Sequence, residues 1–297
     1  MKSQFRHVAL IGKYQATSGG NAGASSRQLL DDIAHFLLDQ GCEVMLEKET
    51  AANMGLTSYQ TLDVPSIGAQ CDLCLVVGGD GTMLGIGRQL AQHKVPLIGI
   101  NQGRLGFMTD IASANMLDEM GEILAGRHVI EERTMLAAEV SRDGVVRLAT
   151  LALNDAVVNK GSVGRLIEFL VNIDREFVYD LRADGLIVAT PTGSTAYALS
   201  SDGPILQPGV PGFALVPICP HTLSNRPILV SDRTVIEIFL KRSIDARLHF
   251  DGQLQYDLQE GDRVVIRRAK HTVKFVHPPG YSYFAMLRQK LHWSEVL

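Results

Sequence analysis

Apolar residues along the first half of the chain follow two alternating rhythms. Short, mainly apolar segments at residues 7–11, 43–46, 72–77 and 95–100 have the length of strands buried on both faces. Between the first two, Leu29, Leu30, Ile33, Phe36 and Leu37 recur at helical spacing. They predict a helix over about 24–40, stopped by Gly41, after a Gly- and Ser-rich loop over 12–23. A further helix covers 117–124, with Ser113 and Asn115 as candidate caps. Such alternation predicts a parallel sheet with helices on its faces, whose ligands bind beyond the strand C-terminal ends.

From about residue 134 the rhythm shortens. Strand-like segments flank Arg142-Asp143-Gly144 and Asp174-Arg175-Glu176, and others recur at 213–218, 234–240, 247–251, 263–268 and 273–277. Many short strands separated by turns predict a β-sandwich-like domain. Residues 281–293 return to helical spacing. The fold class is therefore α/β plus β. An α/β domain over 1–133 is Rossmann-like, a β-rich domain spans 134–277, and a C-terminal segment, 278–297, packs back on the first domain.

The third apolar run ends on Gly78-Gly79-Asp80-Gly81-Thr82. Glycines that take φ > 0 turn successive N–H groups into an anion-binding nest. Thr82 is placed to cap the following helix, over about 83–92, whose N-terminus also favours an anion. Asp80 needs a task beside a phosphate, either taking a proton from an attacking hydroxyl or helping to hold Mg²⁺. A plain Asp-Gly turn is the bland alternative. No Gly-Lys-Ser/Thr follows, so this is not a Walker loop, and no Gly-x-Gly-x-x-Gly opens the first helix.

Composition narrows the class. The 297 residues suffice for two cores, with 46% hydrophobic and 20% charged residues. A net charge of −4 argues against a nucleic-acid partner. The apolar runs are strand-sized, so no membrane association and no signal peptide are expected, and the cytoplasm is the expected compartment. Four cysteines suit a reducing environment; Cys71 and Cys74 lack a second ligand pair and read as small buried hydrophobes.

The GGDGT loop resembles that of a kinase superfamily containing NAD kinases, diacylglycerol-type lipid kinases and, more distantly, phosphofructokinases. Four later segments resemble the bacterial NAD kinases in particular: GINQGRLGFMT at 99–109, LNDAVVNKG at 153–161, DGLIVATPTGSTAYALSSDGP at 184–204 and PHTLSNRP at 220–227. The resemblance implies an ATP:NAD⁺ 2′-phosphotransferase making NADP⁺, with Asp80 as base and Gly78, Gly79, Gly81 and Thr82 handling phosphate. A divalent cation, Mg²⁺ or another, accompanies the ATP. It implies NAD⁺ contacts at Asp80, Gly81, Phe107, Asn154, Asp155, Arg165, Arg182, Asp184, Thr195, Ala196, Tyr197, Ala198, Leu199, Ser200 and Gln253, and a homo-oligomer, tetramer or dimer.

The residues themselves leave simpler readings beside these. Asn154-Asp155 interrupts a β-like run, as a turn or bulge does. The hydroxyls of Thr190, Thr192, Ser194 and Thr195 suit a polar loop capping a short helix, although four in six residues exceed what capping needs. Arg165 and Arg182 suit a solvated strand face, Phe107 a core position, Gln253 a hairpin turn and His221 a structural role. Three other functions stay open: a lipid kinase, which has no use for TPTGSTAY; a sugar-phosphate kinase, which calls for a denser set of cations; and a dinucleotide sensor, which has no use for Asp80.

Overall fold

The computed structural model describes residues 3–12, 20–103, 105–161, 165–222 and 224–293, with 20–25 as backbone only. The loop expected over 12–23 falls mainly on 13–19, outside the described residues. Contacts divide the chain into two units, 1–132 with 273–297, and 133–272.

In the first unit the apolar runs become parallel strands: β1 (His7–Gly12), β2 (Glu43–Glu47), β3 (Gln60–Leu62), β4 (Leu73–Val77), β5 (Leu97–Asn101) and the two-residue β6 (Ile111–Ala112). The chain then enters β7 (Val129–Arg133). Helix α1 (Gly20–Asp39) places Leu30, Ile33 and Leu37 on the sheet, where each is fully buried. Two short helices carry no periodic signature: α2 (Lys48–Met54) and α3 (Val64–Gln70). Local caps make them. The Glu47 carboxylate accepts the N–H groups of Glu49 and Thr50 at 2.8 and 2.7 Å, and Asp63 accepts that of Ser66 ahead of a proline in the first turn. Helix α4 (Asp80–Leu90) follows β4 directly, and α5 (Met116–Leu124) follows β6.

The second unit holds two six-stranded sheets. The strands are β8 (Leu136–Arg142), β9 (Val145–Ala152), β10 (Asp155–Lys160), β11 (Ile167–Ile173), β12 (Glu176–Ala183), β13 (Gly185–Ala189), β14 (Gly212–Ile218), β15 (Ile228–Ser231), β16 (Ile236–Arg242), β17 (Ala246–Phe250), β18 (Leu254–Leu258) and β19 (Arg263–Arg268). One sheet runs β15-β14-β13-β10-β17-β18, the other β12-β11-β16-β19-β8-β9, and every described pairing is antiparallel. Alternate residues of both sheets, including Phe169, Val171, Ile238, Val188, Phe213 and Phe250, share one core. The first sheet has a second apolar face: Val157, Ile187, Ala189, Ala214 and Val216 lie under Ala198 and Leu206. The one-turn helix α6 (Tyr197–Ser200) is part of that cover. Asp143 and Gly144, at φ 52° and 75°, make the expected two-residue turn between β8 and β9.

The chain then returns to the first unit through β20 (Val273–His277) and α7 (Tyr283–Leu291). The β-rich domain expected to reach residue 277 thus ends earlier. Val273, Phe275, Val276 and His277 are buried on both faces of the strand, which demands a place inside a sheet with both sides covered. Pairing parallel to β5 and lying beside β7 supplies it, giving the order β3-β2-β1-β4-β5-β20-β7.

Candidate active site

The sheet order reverses at β1: the chain runs outward to β2 and β3, then comes back to β4 on the other side. Ligand crevices of open α/β sheets form beyond such a switch point, and Gly78-Gly79 stands there. Gly78 is tied to the sheet by its N–H to the Ile100 carbonyl at 2.9 Å. Two expectations for this loop need correction. Gly79 has φ −111°, and neither Gly78 nor Gly81 has positive φ, so no left-handed nest forms. Helix α4 begins at Asp80 with Gly79 as its N-cap, so Thr82 lies within the first turn and caps nothing. The anion-binding capacity that remains is that of the helix N-terminus, where Gly79 and Gly81 are exposed.

Asp80 is oriented by a second segment of the same unit. Its Oδ2 accepts the Phe107 N–H at 2.8 Å and its Oδ1 the Met108 N–H at 3.0 Å, with the Thr109 hydroxyl at 3.4 Å. Asn101 at the end of β5 accepts the Gly103 N–H at 2.5 Å and so shapes the entry to that turn. Lys290 of α7 donates to the Leu105 carbonyl and sits 5.6 Å over the Phe107 ring. A Cβ on Gly106 would overlap the Asp80 carboxylate and the Thr109 hydroxyl. Phe107 itself is half-buried at the carboxylate.

The second unit gathers most of the other expected residues. Leu153 and Asn154 form the bend between β9 and β10, where the chain passes from one sheet to the other. The carboxylate of Asp251 fixes this bend by accepting the N–H groups of Leu153, Asn154 and Asp155 at 3.1, 2.7 and 3.2 Å. Asp251 and Gly252, both at positive φ, turn β17 into β18, and Gln253 closes that turn through its N–H to the Phe250 carbonyl. Asp155 is 5% exposed. Burial, and then the adjacent Asp251 charge, push its carboxyl up to about 7. The side-chain oxygen of Asn154 is buried with no hydrogen-bond partner among the described residues.

The hydroxyl-rich segment divides in two. Thr190 donates to the Leu153 carbonyl at 2.5 Å and accepts the Gly193 N–H, while Ser194 donates to the Pro191 carbonyl at 2.6 Å and accepts the Leu206 N–H. Both are fully buried, so they are structural, and Ala198 belongs to the apolar cover. Thr195, Ala196 and Leu199 are half-buried, and Tyr197 and Ser200 are exposed. A groove of about 640 Å³ runs past Tyr197 and Ser200 to Cys219, Thr222 and Arg226. The floor of that region is pinned by the Asp184 N–H to the Ile218 carbonyl and the His221 N–H to the Arg182 carbonyl. Asp184 pairs with Lys160 at 2.6 Å, and Arg182 is exposed, 3.9 Å from Glu168. Arg165 stands exposed beside residues 162–164, which lie outside the described residues.

Asp251, Gly106 and the buried Arg133, whose guanidinium donates to Thr192 at 3.4 Å, were not singled out from sequence. Each acts on residues far away along the chain.

The raised carboxyl of Asp155 carries a stability signature. The folded chain keeps a proton that the unfolded chain releases at about pH 4, so this contribution is fully present below that pH. It is lost as pH rises through about 7. Asp155→Asn removes the titration. The urea midpoint of the variant relative to the parent is therefore expected to rise between pH 5 and pH 8; a difference independent of pH would refute the assignment.

Residues 10–128 match the ATP-NAD kinase N-terminal domain and residues 153–278 the ATP-NAD kinase C-terminal domain. An NAD kinase of Polaromonas sp. (strain JS666 / ATCC BAA-500) is 56% identical over 295 residues, covering 99% of each chain. One from Acidovorax sp. (strain JS42) is 55% identical with the same coverage. Among solved structures, yeast NADH kinase complexed with NADH superposes with a TM-score of 0.88 at 25% identity, over 98% of this chain and 89% of that one. An NAD kinase from Archaeoglobus fulgidus in complex with ATP gives 0.74 at 26% identity, over 96% and 98%. With both halves matched in order and more than half of the residues shared over full length, the chain belongs to the NAD kinase family.

Proposed function

We propose that this protein transfers the terminal phosphoryl group of ATP to the 2′-hydroxyl of the adenosine ribose of NAD⁺, giving NADP⁺ and ADP. The ribose 2′-oxygen forms a bond to the γ-phosphorus, the bond from that phosphorus to the β–γ bridging oxygen breaks, and the hydroxyl proton passes to Asp80. The observation that carries the reading is the Asp80 carboxylate itself. It sits at the switch point of a parallel sheet, at the first position of a helix, oriented by two backbone N–H groups. Oδ1 accepts the Met108 N–H and the Thr109 hydroxyl, whereas Oδ2 accepts only the Phe107 N–H and keeps capacity for a further donor such as a hydroxyl. Positioning and charge compensation dominate phosphoryl transfer, and the N-terminus of α4 supplies a fixed positive end for the transferred group.

In the second unit, Asn154 and Asp155 are the proposed ribose ligands. The unpartnered Asn154 oxygen favours this, because a ribose hydroxyl would satisfy an acceptor whose isolation costs about 1–3 kcal/mol. Tyr197 and Ser200 line the proposed dinucleotide groove, with Thr195, Ala196 and Leu199 behind them and Ala198 packed beneath. Phe107, Arg165, Arg182, Asp184 and Gln253 complete the proposed contacts, and Gly78, Gly79, Gly81 and Thr82 the phosphate loop.

Among the described residues no group of three His, Cys, Asp or Glu side chains is arranged to hold a metal ion. The donor set fits a cation delivered on the nucleotide, since Mg²⁺ keeps its waters and takes one or two carboxylates besides phosphates. Asp80 is the carboxylate available to it. When bound, such a cation neutralises charge on the β- and γ-phosphates. A homo-oligomer, dimer or tetramer, is proposed from exposed Phe177, Val145 and Val146 on the two edge strands of one sheet. No helix of the described residues is long and apolar enough to cross a membrane, and the cytoplasm is the proposed compartment. Full-length similarity to NAD kinases does not favour a lipid kinase or a silent sensor.

The direct test is NADP⁺ formation from NAD⁺, ATP and Mg²⁺, read by an NADP⁺-specific dehydrogenase. Product that depends on ATP and Mg²⁺ is expected. Protein that binds NAD⁺ yet forms no product with ATP or polyphosphate would refute the kinase reading.

A further inference from the structure

Behind the turn that orients Asp80 lies a buried ionic cluster with no direct place in the chemistry above. His277, the last residue of β20, is 1% exposed. Its Nδ1 is 2.8 Å from Asp110 Oδ2 and its Nε2 is 3.3 Å from Glu131 Oε2 on β7. The Tyr281 ring covers its face at 3.8 Å, nearly parallel, and Phe275 stacks at 6.4 Å. Helix α5 adds a third carboxyl, Glu119, whose pKa is raised by burial and by Asp110. Strand β5 brings no charge, and Lys274 pairs with Glu132, which strand alternation puts on the other face of the sheet.

Asp110 follows directly on Thr109, Met108 and Phe107, the three residues that touch the Asp80 carboxylate. A neutral imidazole that donates to Asp110 presents a lone pair towards the Glu131 carboxylate 3.3 Å from its Nε2. Only the imidazolium bonds Asp110 and also turns a positive N–H towards Glu131, a contact that is an ion pair and not a hydrogen bond. We propose that His277 is a positioning residue for phosphoryl transfer: by bridging Asp110 and Glu131 as a doubly protonated ring, it fixes the 106–110 turn and through it the Asp80 carboxylate. This inference rests on the kinase reading. Burial alone would lower the basicity of His277; the interactions with Asp110 and Glu131 outweigh it and hold the ring protonated above the ordinary imidazole range.

The test is the pH profile of kcat between pH 6 and pH 10 for the parent, His277→Gln and Asp110→Asn, with KM for NAD⁺ measured alongside. In the parent, kcat is expected to fall as pH rises through the His277 titration. His277→Gln is expected to lose about 10-fold in kcat, to lack that alkaline fall, and to keep KM for NAD⁺ within about two-fold, as a displaced reacting group should. Asp110→Asn removes one of the two charges on the ring, so the fall moves to lower pH. An unmoved fall in Asp110→Asn, or a His277→Gln protein with parental kcat, overturns the inference while leaving the kinase intact. Should His277→Gln not fold, the Asp110→Asn profile decides alone. Absence of NADP⁺ from the parent at every pH would overturn the kinase reading and this inference with it.

Discussion

Asp80→Asn is expected to lower kcat for NADP⁺ formation by about 10²–10⁴-fold, the range for a positioned base, while the protein stays folded. That loss corresponds to about 2.7–5.4 kcal/mol of transition-state stabilisation. Two effects contribute, and the structure separates them. Asparagine cannot take the hydroxyl proton. It also offers one oxygen where the aspartate offers two, so its NH₂ must face the N–H of Phe107 or of Met108. The second effect releases the 106–109 turn at a stability cost of about 1–3 kcal/mol. Measuring kcat together with the thermal midpoint distinguishes the two. A small loss of stability with a large loss of kcat fits the base role, whereas near-parental turnover in a folded variant would remove Asp80 from the mechanism.

How far such a site can be read before folding depends on the range of the interactions that build it. Strand β4 and the glycines that end it were legible because a buried parallel strand is a continuous apolar run, and β1, α1 and β5 were legible for similar local reasons. The turn at Asp143-Gly144 was legible because left-handed φ selects those residues. The glycines at 78, 79 and 81 suggest a left-handed nest by their type alone, yet none of them has positive φ. What the site requires of a glycine is close approach, and it requires it at Gly106, where the partner is Asp80. Helices α2 and α3 were missed because seven residues hold too few turns to show periodicity, and α2 is capped by a glutamate, an unusual capping residue. The hydroxyls of Thr190 and Ser194 looked like ligand groups by density alone. Their partners, the Leu153 and Pro191 carbonyls and the Leu206 N–H, become apparent only when the segment is laid on the β13 sheet. Asp251 was hidden for the same reason: its three N–H partners are almost a hundred residues earlier, and no local pattern announces a carboxylate that braces a distant bend.

Gly106→Ala is expected to reduce kcat by about 100-fold without any change to a titratable group, since displacing a reacting group by about 1 Å costs a loss of that order. The added methyl would overlap Asp80 Oδ1 and the Thr109 hydroxyl together. Neither neighbour can retreat freely: the carboxylate is held by the Phe107 and Met108 N–H groups, and Thr109 is fully buried. The turn must therefore move away from α4 and take those donors with it, leaving Asp80 misaimed. Affinity for NAD⁺ is expected to change little, because the proposed ribose ligands Asn154 and Asp155 are braced by Asp251 within the second unit. The measurement is kcat and the NAD⁺ dissociation constant of the same preparation. Lost turnover with retained binding places the cost on the aim of the Asp80 carboxylate. Parental kcat would show that the carboxylate tolerates displacement and that its orientation by the 106–109 turn is irrelevant to catalysis.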